Sequence, residues 1–501
     1  MNLLLKMLRS IFNALRYYCI NTSFHGLRFI AEGERHWTER LLWLTLCLIS
    51  WLGSGMLISS SWDSFQTNAV SFVVETSYLN TNTTFPSISV CEEGNMQKIY
   101  DISQEIWGVD HDNNLDEILK ELSYFRGEVY YLKEFCFSGD LDCPKDNFYD
   151  LINKARSNCS EIFNACFWKG KPFDCCTHFV KTETELGPCY MFSSNNERKL
   201  WKNGDPSHII TVSSMKSGLA MLSLQINVPG QIYIHSESEL PYLNTLSTDI
   251  LKIFQTPRDY KHAFAVTDVE NPPEVRELSI HQRKCRFPEE NYLEIADVYA
   301  YSSCEVDCRK KEQLRLCNCS SHLMPKTPES EKCDLDGILC LNNNVAEYIG
   351  QKTKWGDNIG LLCDCLPACN DAQYNTVTST SKESTNNYST IEIFLDRLPS
   401  ERYKRNVVRT RLDLVVSMGG AAGLFVGASL LSFVEIFYFF ILRTHKSEKY
   451  DDNDQTNVKT DSEENVLARS DQFSFTRTAS NLNRNELIIR HPFIPQQTLF
   501  L

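Results

Sequence analysis

Gly419, Gly423 and Gly427 recur at intervals of four, with Gly420 beside the first, inside a run of 21 uncharged residues from 414 to 434. On a helix these positions form one face without side chains, the kind of face along which helices approach closely in lipid. Gly427, Ala428 and Ser429 fall near the middle of a membrane-crossing span, where a local break would bare backbone carbonyls. Such carbonyls are tolerated at that depth only when they line a cavity or are buried in protein. Together with the Ser429 hydroxyl they can replace a cation's hydration shell. Glu435 lies six residues further on in apolar sequence, and a carboxylate there costs on the order of 2.5–3.5 kcal/mol unless it meets water or a partner. The glycine face alone fits helix pairing as well as a pore. Glu435 on the same segment favours a cation pathway, and since one helix cannot enclose a pore, that pathway requires an oligomer.

The other residues with informative spacing are cysteines. Of 20 in the chain, 18 lie between the two uncharged runs. Cys304 and Cys308 are four apart, on one face of a helix, and Cys363 and Cys365 are two apart, on one face of a strand. A helix against an antiparallel strand would be riveted twice, as Cys304–Cys365 and Cys308–Cys363, with Cys285–Cys369 as an outer rung. Cys317, Cys319, Cys333 and Cys340 can close a smaller loop between them. Zinc is the competing use, but the pairs Cys317/Cys319 and Cys363/Cys365 enclose one residue where zinc knuckles use two to four, so no metal is expected.

Those residues need elements to carry them. Residues 41–62 form a second uncharged run of 22, and either run is long enough as a helix to cross a hydrocarbon core of roughly 30 Å. The sequence thus divides into residues 1–40, an N-terminal cytoplasmic segment beginning with a short amphipathic helix; 41–62, a first transmembrane helix; 63–411, a cysteine-rich ectodomain; 412–442, a second, pore-lining transmembrane helix; and 443–501, a polar cytoplasmic tail whose composition suits disorder. Two crossings place both termini on one side. Disulfides persist in oxidising compartments, so the body faces outward and the termini face the cytoplasm. Sequons at Asn82, Asn158, Asn318 and Asn387 fall in the body and mark candidate glycosylation sites. The first 40 residues carry six Lys or Arg against three Glu, which suits a cytoplasmic start.

Charge and scattered histidines exclude other classes. The chain's net charge is −14, and residues 41–434 hold −15 of it; such a body concentrates cations and gives no reason to expect nucleic acid. His178, His208, His235 and His281 are dispersed, and none stands in a Ser or Cys nucleophile context. No enzyme and no cofactor are expected.

With these residues in view, the chain resembles the degenerin/epithelial sodium channel family, most of all its insect pickpocket branch. His25-Gly26 resembles the family's cytoplasmic His-Gly gating motif. Phe85-Pro-Ser-Ile-Ser-Val-Cys91, Gly187-Pro-Cys-Tyr-Met-Phe192, the block holding His235 and Pro241, and Cys363-Asp-Cys-Leu-Pro-Ala-Cys369 are similar to the family's ectodomain blocks. Gly419-Gly420, Gly427-Ala-Ser429 and Leu431-Ser-Phe-Val-Glu435 are similar to its pore helix. The resemblance implies two transmembrane helices flanking a large disulfide-rich α+β extracellular domain, in an acid-sensing-channel-like trimer at the plasma membrane. It implies a sodium-permeable, amiloride-sensitive pore with Gly427, Ala428 and Ser429 as selectivity filter, and His25 and Gly26 in gating. Partners would be sodium ions, the lipid membrane and copies of itself or related subunits; the competing role is a non-conducting modulatory or receptor subunit. The family's pairing implies Cys91–Cys189, Cys285–Cys369, Cys304–Cys365, Cys308–Cys363, Cys317–Cys340 and Cys319–Cys333, and Cys166 with Cys175 or Cys176. Cys136, Cys143, Cys159 and the remaining one of that pair are left to join locally.

Two departures stand out. Acid-sensing relatives carry a Trp shortly before the cysteine matching Cys285, against the top of the first helix; here the stretch reads Ile280-His-Gln-Arg-Lys284, so that contact must be built differently. The position at which bulky side chains hold relatives open matches Val416 or Ser417.

Overall fold

The computed structural model describes residues 2–76, 82–136, 142–145, 148–204, 206–370 and 372–439. The tail expected at 443–501, and the last residues expected in the second transmembrane helix, 440–442, lie outside them. The chain divides into residues 1–432 and a second unit, 433–501.

The first unit opens with the helix Asn2–Asn21, a one-turn helix Leu27–Ala31 and the 31-residue helix Trp37–Thr67. The long helix overruns the uncharged stretch 41–62 at both ends. It starts where His36 accepts the Thr38 N–H, and its added turns carry Glu39, Arg40 and Asp63, charges that suit water at a span's ends. It is the one helix among the described residues that is long and apolar enough by itself to cross a membrane.

Among the described residues the cysteine-rich body holds four sheets, the smallest a two-stranded pair of Thr83–Thr84 with Val212–Ser213. Strand Val70–Glu75, directly after the long helix, pairs antiparallel with Arg402–Val407, directly before the second apolar segment, with Val70 opposite Val407; Val269–Glu270 completes this sheet. A five-stranded sheet runs in the order Ile250–Ile253, Gly230–His235, Ser87–Glu92, Gly187–Phe192, Val180–Thr184. A six-stranded sheet runs Gln373–Glu383, Arg258–Thr267, Ser389–Leu395, Met221–Ile226, Phe163–Trp168, Lys171–Phe173. Strand Met221–Ile226 alternates half-buried and buried residues, and Ser389–Leu395 does the same in opposite phase. Their inward Leu222, Leu224, Ile226, Ile391, Ile393 and Leu395 share one core with Ile88, Phe192 and Phe264. Period-two burial is what a sheet with one solvated face dictates. Helices Met96–Trp107, Asn113–Ser123 and Phe148–Ala155 bulge out between Cys91 and Cys189.

Nine disulfides staple this body. Cys304–Cys365 and Cys308–Cys363 rise from one face of the helix Tyr301–Cys317, and Cys285–Cys369 lies beyond them. Cys317–Cys340, Cys319–Cys333 and Cys91–Cys189 are also formed. The pairings left open resolve as Cys166–Cys175, Cys159–Cys176 and Cys136–Cys143. One expectation is corrected: Cys363 and Cys365 do not sit on a strand. Their segment has no regular secondary structure and joins no sheet, pairing only through isolated bridges at Leu361 and Ala368 on either side. Its neighbour is a helix, which has no free ladder to offer, and Pro367 removes a donor; disulfides do the fastening instead.

Polar groups lock the helix Tyr301–Cys317 to the sheets. Arg309 is fully buried, and its Nη1 donates to both oxygens of the buried Glu185, at 2.5 and 2.6 Å, while Nε donates to Tyr348 O at 3.0 Å. Glu185 also accepts the Leu243 N–H. Removing one partner strands a charge where water cannot reach it. Glu185→Ala is therefore expected to destabilise the domain by about 3–5 kcal/mol and to cut surface delivery sharply. Denaturant melts of purified protein, with surface biotinylation, would check this; a melt within error of the parent's would refute it.

Candidate functional site

The second apolar segment is not one helix. It runs Arg411–Val426, stops, and resumes as Leu430–Phe437. Thr410 starts the first piece, its hydroxyl accepting the Asp413 N–H while Asp413 accepts from Thr410 in return. Gly427, with φ +70°, ends it in the left-handed conformation that glycine adopts at helix ends. Ser429 starts the second piece, its Oγ accepting the Ser432 N–H at 3.2 Å.

The break frees backbone groups, and several of them are met from outside the helix or within the turn. In a continuous helix Phe425 O and Val426 O would accept from Ser429 and Leu430. Instead Ser50 Oγ, on the long helix, donates to Phe425 O at 2.5 Å, and the His25 N–H donates to Val426 O at 3.0 Å. The Ala428 N–H turns back to Ala422 O, and the Ser429 N–H is taken by Ser432 Oγ. Ser23 Oγ lies 2.7 Å from Ser432 Oγ. The His25-Gly26 turn thus plugs into the break at Gly427-Ala-Ser429, and the structure brings these two motifs together.

Both glycines are required by this fit. A Cβ on Gly427 would lie 2.5 Å from the His25 ring. Gly26 has φ +84°, and a Cβ there would lie 2.5 Å from Cys47 Sγ, the thiol that approaches His25 O at 3.6 Å. Gly53 on the long helix receives the Phe425 ring. Serine and cysteine at 50 and 47 went unremarked in the sequence; their spacing of three, one helical turn, is the signal that places both on the face meeting the break.

The other candidates are elsewhere. Val416 is exposed and Ser417 half-buried, on the first piece. A Cβ on Gly419 or Gly420 would meet nothing within 4 Å, so that end of the glycine face is unoccupied in the single chain. Glu435 is half-buried, on the second piece. The sequon residues Asn82, Asn158, Asn318 and Asn387 are all exposed. His178 is buried against Glu197 at 2.7 Å, and His235 lies 2.8 Å from Ser89 Oγ, so both serve the framework. Glu305 approaches Cys363 and Cys365 as metal ligands would, but both sulfurs are committed to disulfides and have no thiolate to offer.

Between the body and the apolar segments, the contact that the sequence left open is made by Gln282. Its side-chain amide donates to Phe65 O, in the last turn of the long helix, at 3.0 Å, and its oxygen accepts from Ser279. Phe65 O is one of the four carbonyls that any helix end leaves unpaired. Beside it, Arg405 donates to Asn271 Oδ1 at 2.9 Å and packs on Cys285 and the Phe72 ring. Val407 packs against the cluster around the Cys285–Cys369 bridge.

A stapled body joined by a strand pair to two apolar segments, one broken and plugged, is the arrangement of an ion channel subunit rather than an enzyme. Residues 18–439 match the model of the amiloride-sensitive sodium channel family, and the chain belongs to that family. It is similar to sodium channel protein Nach of Drosophila ananassae, 24% identical over 86% of this chain and 87% of that protein. It is also similar to pickpocket protein 19 of Drosophila melanogaster, 23% identical over 83% and 88% of the two chains, and to acid-sensing ion channel 1C of Danio rerio, 24% identical over 84% and 82%. Members of this family are ion channels of the plasma membrane with a disulfide-rich extracellular domain.

The plugged break gives a specific expectation. Gly427→Ala forces the new methyl against His25 as well as straining the backbone, so it should displace the N-terminal turn. Cysteine substitution at Ser23 and Ser432 should give a crosslink under mild oxidation in the parent background, reduced several-fold when Gly427→Ala is added. Equal crosslinking in both backgrounds would show that the glycine does not hold the turn.

Proposed function

We propose that this chain is a subunit of a trimeric, sodium-permeable, amiloride-blocked cation channel of the plasma membrane. Its first span is residues 41–62 of the helix Trp37–Thr67, and its second, from 412, runs along the helices Arg411–Val426 and Leu430–Phe437; residues 63–411 are extracellular and both termini cytoplasmic. Gly427, Ala428 and Ser429 form the selectivity filter, His25 and Gly26 hold it from the cytoplasmic side, and Glu435 supplies a carboxylate in the ion path. Gly419, Gly420 and Gly423 let the subunits' second spans approach one another. Asn82, Asn158, Asn318 and Asn387 are glycan acceptors, and exposure of all four agrees with that.

The observation that carries this reading is the break itself. An apolar segment gains nothing from interrupting its hydrogen bonds unless the freed groups are used. Here a glycine, a serine cap and three outside residues maintain the interruption. Family membership supplies the class, and the names of the relatives, sodium and acid-sensing channels, agree with cation conduction. Open space over Gly419 and Gly420 in the single chain supports assembly around an axis.

The test is whole-cell current in oocytes expressing the chain alone, with sodium exchanged for potassium, amiloride added, and surface biotinylation in parallel. A sodium-selective, amiloride-blocked current that changes its ion preference on Ser429→Ala is expected. Normal surface expression without current, alone and with related subunits, would instead identify a non-conducting modulatory subunit.

Val416 and Ser417 lie on the open side of the first piece of the second span. Replacing either with Trp or Lys should obstruct closure and raise the open probability at rest in single-channel records; unchanged or lower open probability at normal surface density would refute that role.

A further inference from the structure

Away from the membrane segments, three parts of the body meet around a cavity of about 240 Å³. The helix Phe148–Ala155 contributes Tyr149 and Ile152, the hairpin of strands Val180–Thr184 and Gly187–Phe192 contributes Lys181 and Glu183, and the loop closed by Cys319–Cys333 contributes His322, Leu323, Met324, Lys326 and Lys332. A second cavity of about 140 Å³ adjoins it, sharing Tyr149, His322 and Lys332 as wall.

The charge of this wall runs against its surroundings. Residues 41–434 carry −15, yet Lys181, Lys326 and Lys332 converge on the larger cavity with Glu183 as its one carboxylate. Their present partners hold them weakly. Lys326 reaches Asp297, which is 92% exposed, and Lys332 reaches Glu329, which is 67% exposed; Lys181 donates to an amide oxygen, Asn153 Oδ1, at 3.1 Å. Pairs with solvated carboxylates contribute little and exchange readily. Lys332 itself is only 13% exposed and lies 4.5 Å from the centre of the Tyr149 ring.

The loop is rigid where it matters. Pro325 and Pro328 flank Lys326, which is held at φ +48°, a left-handed conformation unfavourable for a lysine. Two prolines and a disulfide fix this geometry in advance, and a preformed site loses less ordering entropy on binding. Ile152, Leu323 and Met324 form an apolar floor. His322 is buried in the wall, its Nε2 donating to Leu122 O at 2.9 Å. Burial, with Lys332 and Arg156 nearby, pushes it down to about 4, so it is neutral at physiological pH, and its Nδ1 has no protein partner.

We infer that this junction is an extracellular binding site for a small amphipathic carboxylate, its carboxylate between Lys326 and Lys332 and its hydrocarbon part on Leu323, Met324 and Ile152. The volume lies below the range usual for drug-sized ligands, which limits the occupant to a short acid. Three structural units share the ligand, so binding would brace the helical bulge against the disulfide-closed loop.

The test uses the full-length protein in detergent, its thermal midpoint followed while hexanoate is added at constant ionic strength. Hexanamide and hexylammonium serve as neutral and cationic controls of the same shape. Hexanoate is expected to raise the midpoint saturably by about 10 mM, with both controls inert. Lys326→Gln with Lys332→Gln should weaken the apparent affinity at least about tenfold, because the charged hydrogen bonds are lost, while leaving the unliganded midpoint near the parent's. If that double variant does not fold, Lys181→Gln together with Met324→Glu, which puts a carboxylate on the floor, replaces it. No saturable shift, an equal response to hexanamide, or undiminished response in the folded variants would each overturn the inference. Since no current is measured, the result stands apart from whether the chain conducts.

Discussion

A helix broken within an apolar segment must find donors for the carbonyls it frees, and that constraint organises the part of this protein where its two apolar segments meet. Phe425 O and Val426 O are two of the carbonyls that lose their helical partners. One is taken by the side chain of Ser50 and the other by the backbone of His25. The N-terminal turn therefore belongs to the second apolar segment as much as to the first. Glycine at 427 follows from the same constraint, since the His25 ring occupies the space where any side chain would go. So does glycine at 26, pressed on Cys47. Three separate parts of the chain, at 25–26, 50 and 427, are tied together at one interruption.

At the opposite end of the long helix, the logic repeats with different chemistry. The carbonyl of Phe65 is freed because the helix stops, and Gln282 meets it from the body. The strands that follow and precede the two apolar segments then pair along six residues. The Cys285–Cys369 bridge is packed beside that pair through Val407. Motion of the stapled body can reach the apolar segments by two covalently continuous routes and one hydrogen bond. The relatives' Trp would make this last contact by packing; an amide makes it by donation, a directional link more easily broken by a small rotation.

Much of this was legible in the sequence, and the reasons are physical. Long uncharged runs can be read because hydrocarbon tolerates so few alternatives. The glycine spacing and the Gly427-Ala-Ser429 tract can be read because a bare helix face and a break need particular residues. What could not be read depended on partners distant in sequence. Ser50 and Cys47 look like ordinary small residues of an apolar helix until the break is placed beside them. The strand expected under Cys363 and Cys365 was wrong for a related reason: spacing of two is compatible with any extended chain, and only a ladder partner makes a strand. Likewise the choice between Cys175 and Cys176 for Cys166 rests on which thiol the short helix Cys175–His178 turns inward, a matter of one residue's rotation.

The stapled loop after the helix Tyr301–Cys317 shows how rigidity and function come apart. Nine bridges would be excessive if holding the fold were their only task, because the sheets already share a continuous apolar core and the buried Arg309–Glu185 pair locks the helix in place. Cys319–Cys333 closes only a short loop, with a sequence separation of 14, and short loops return the least entropy on crosslinking. Its effect is better understood locally. It holds Pro325, Lys326 and Pro328 against the neighbouring helix and hairpin, at a backbone angle that a free loop would relax. A geometry maintained at that cost, with lysines gathered on it in an acidic domain, is the pattern of a surface kept ready for something that is not part of the chain.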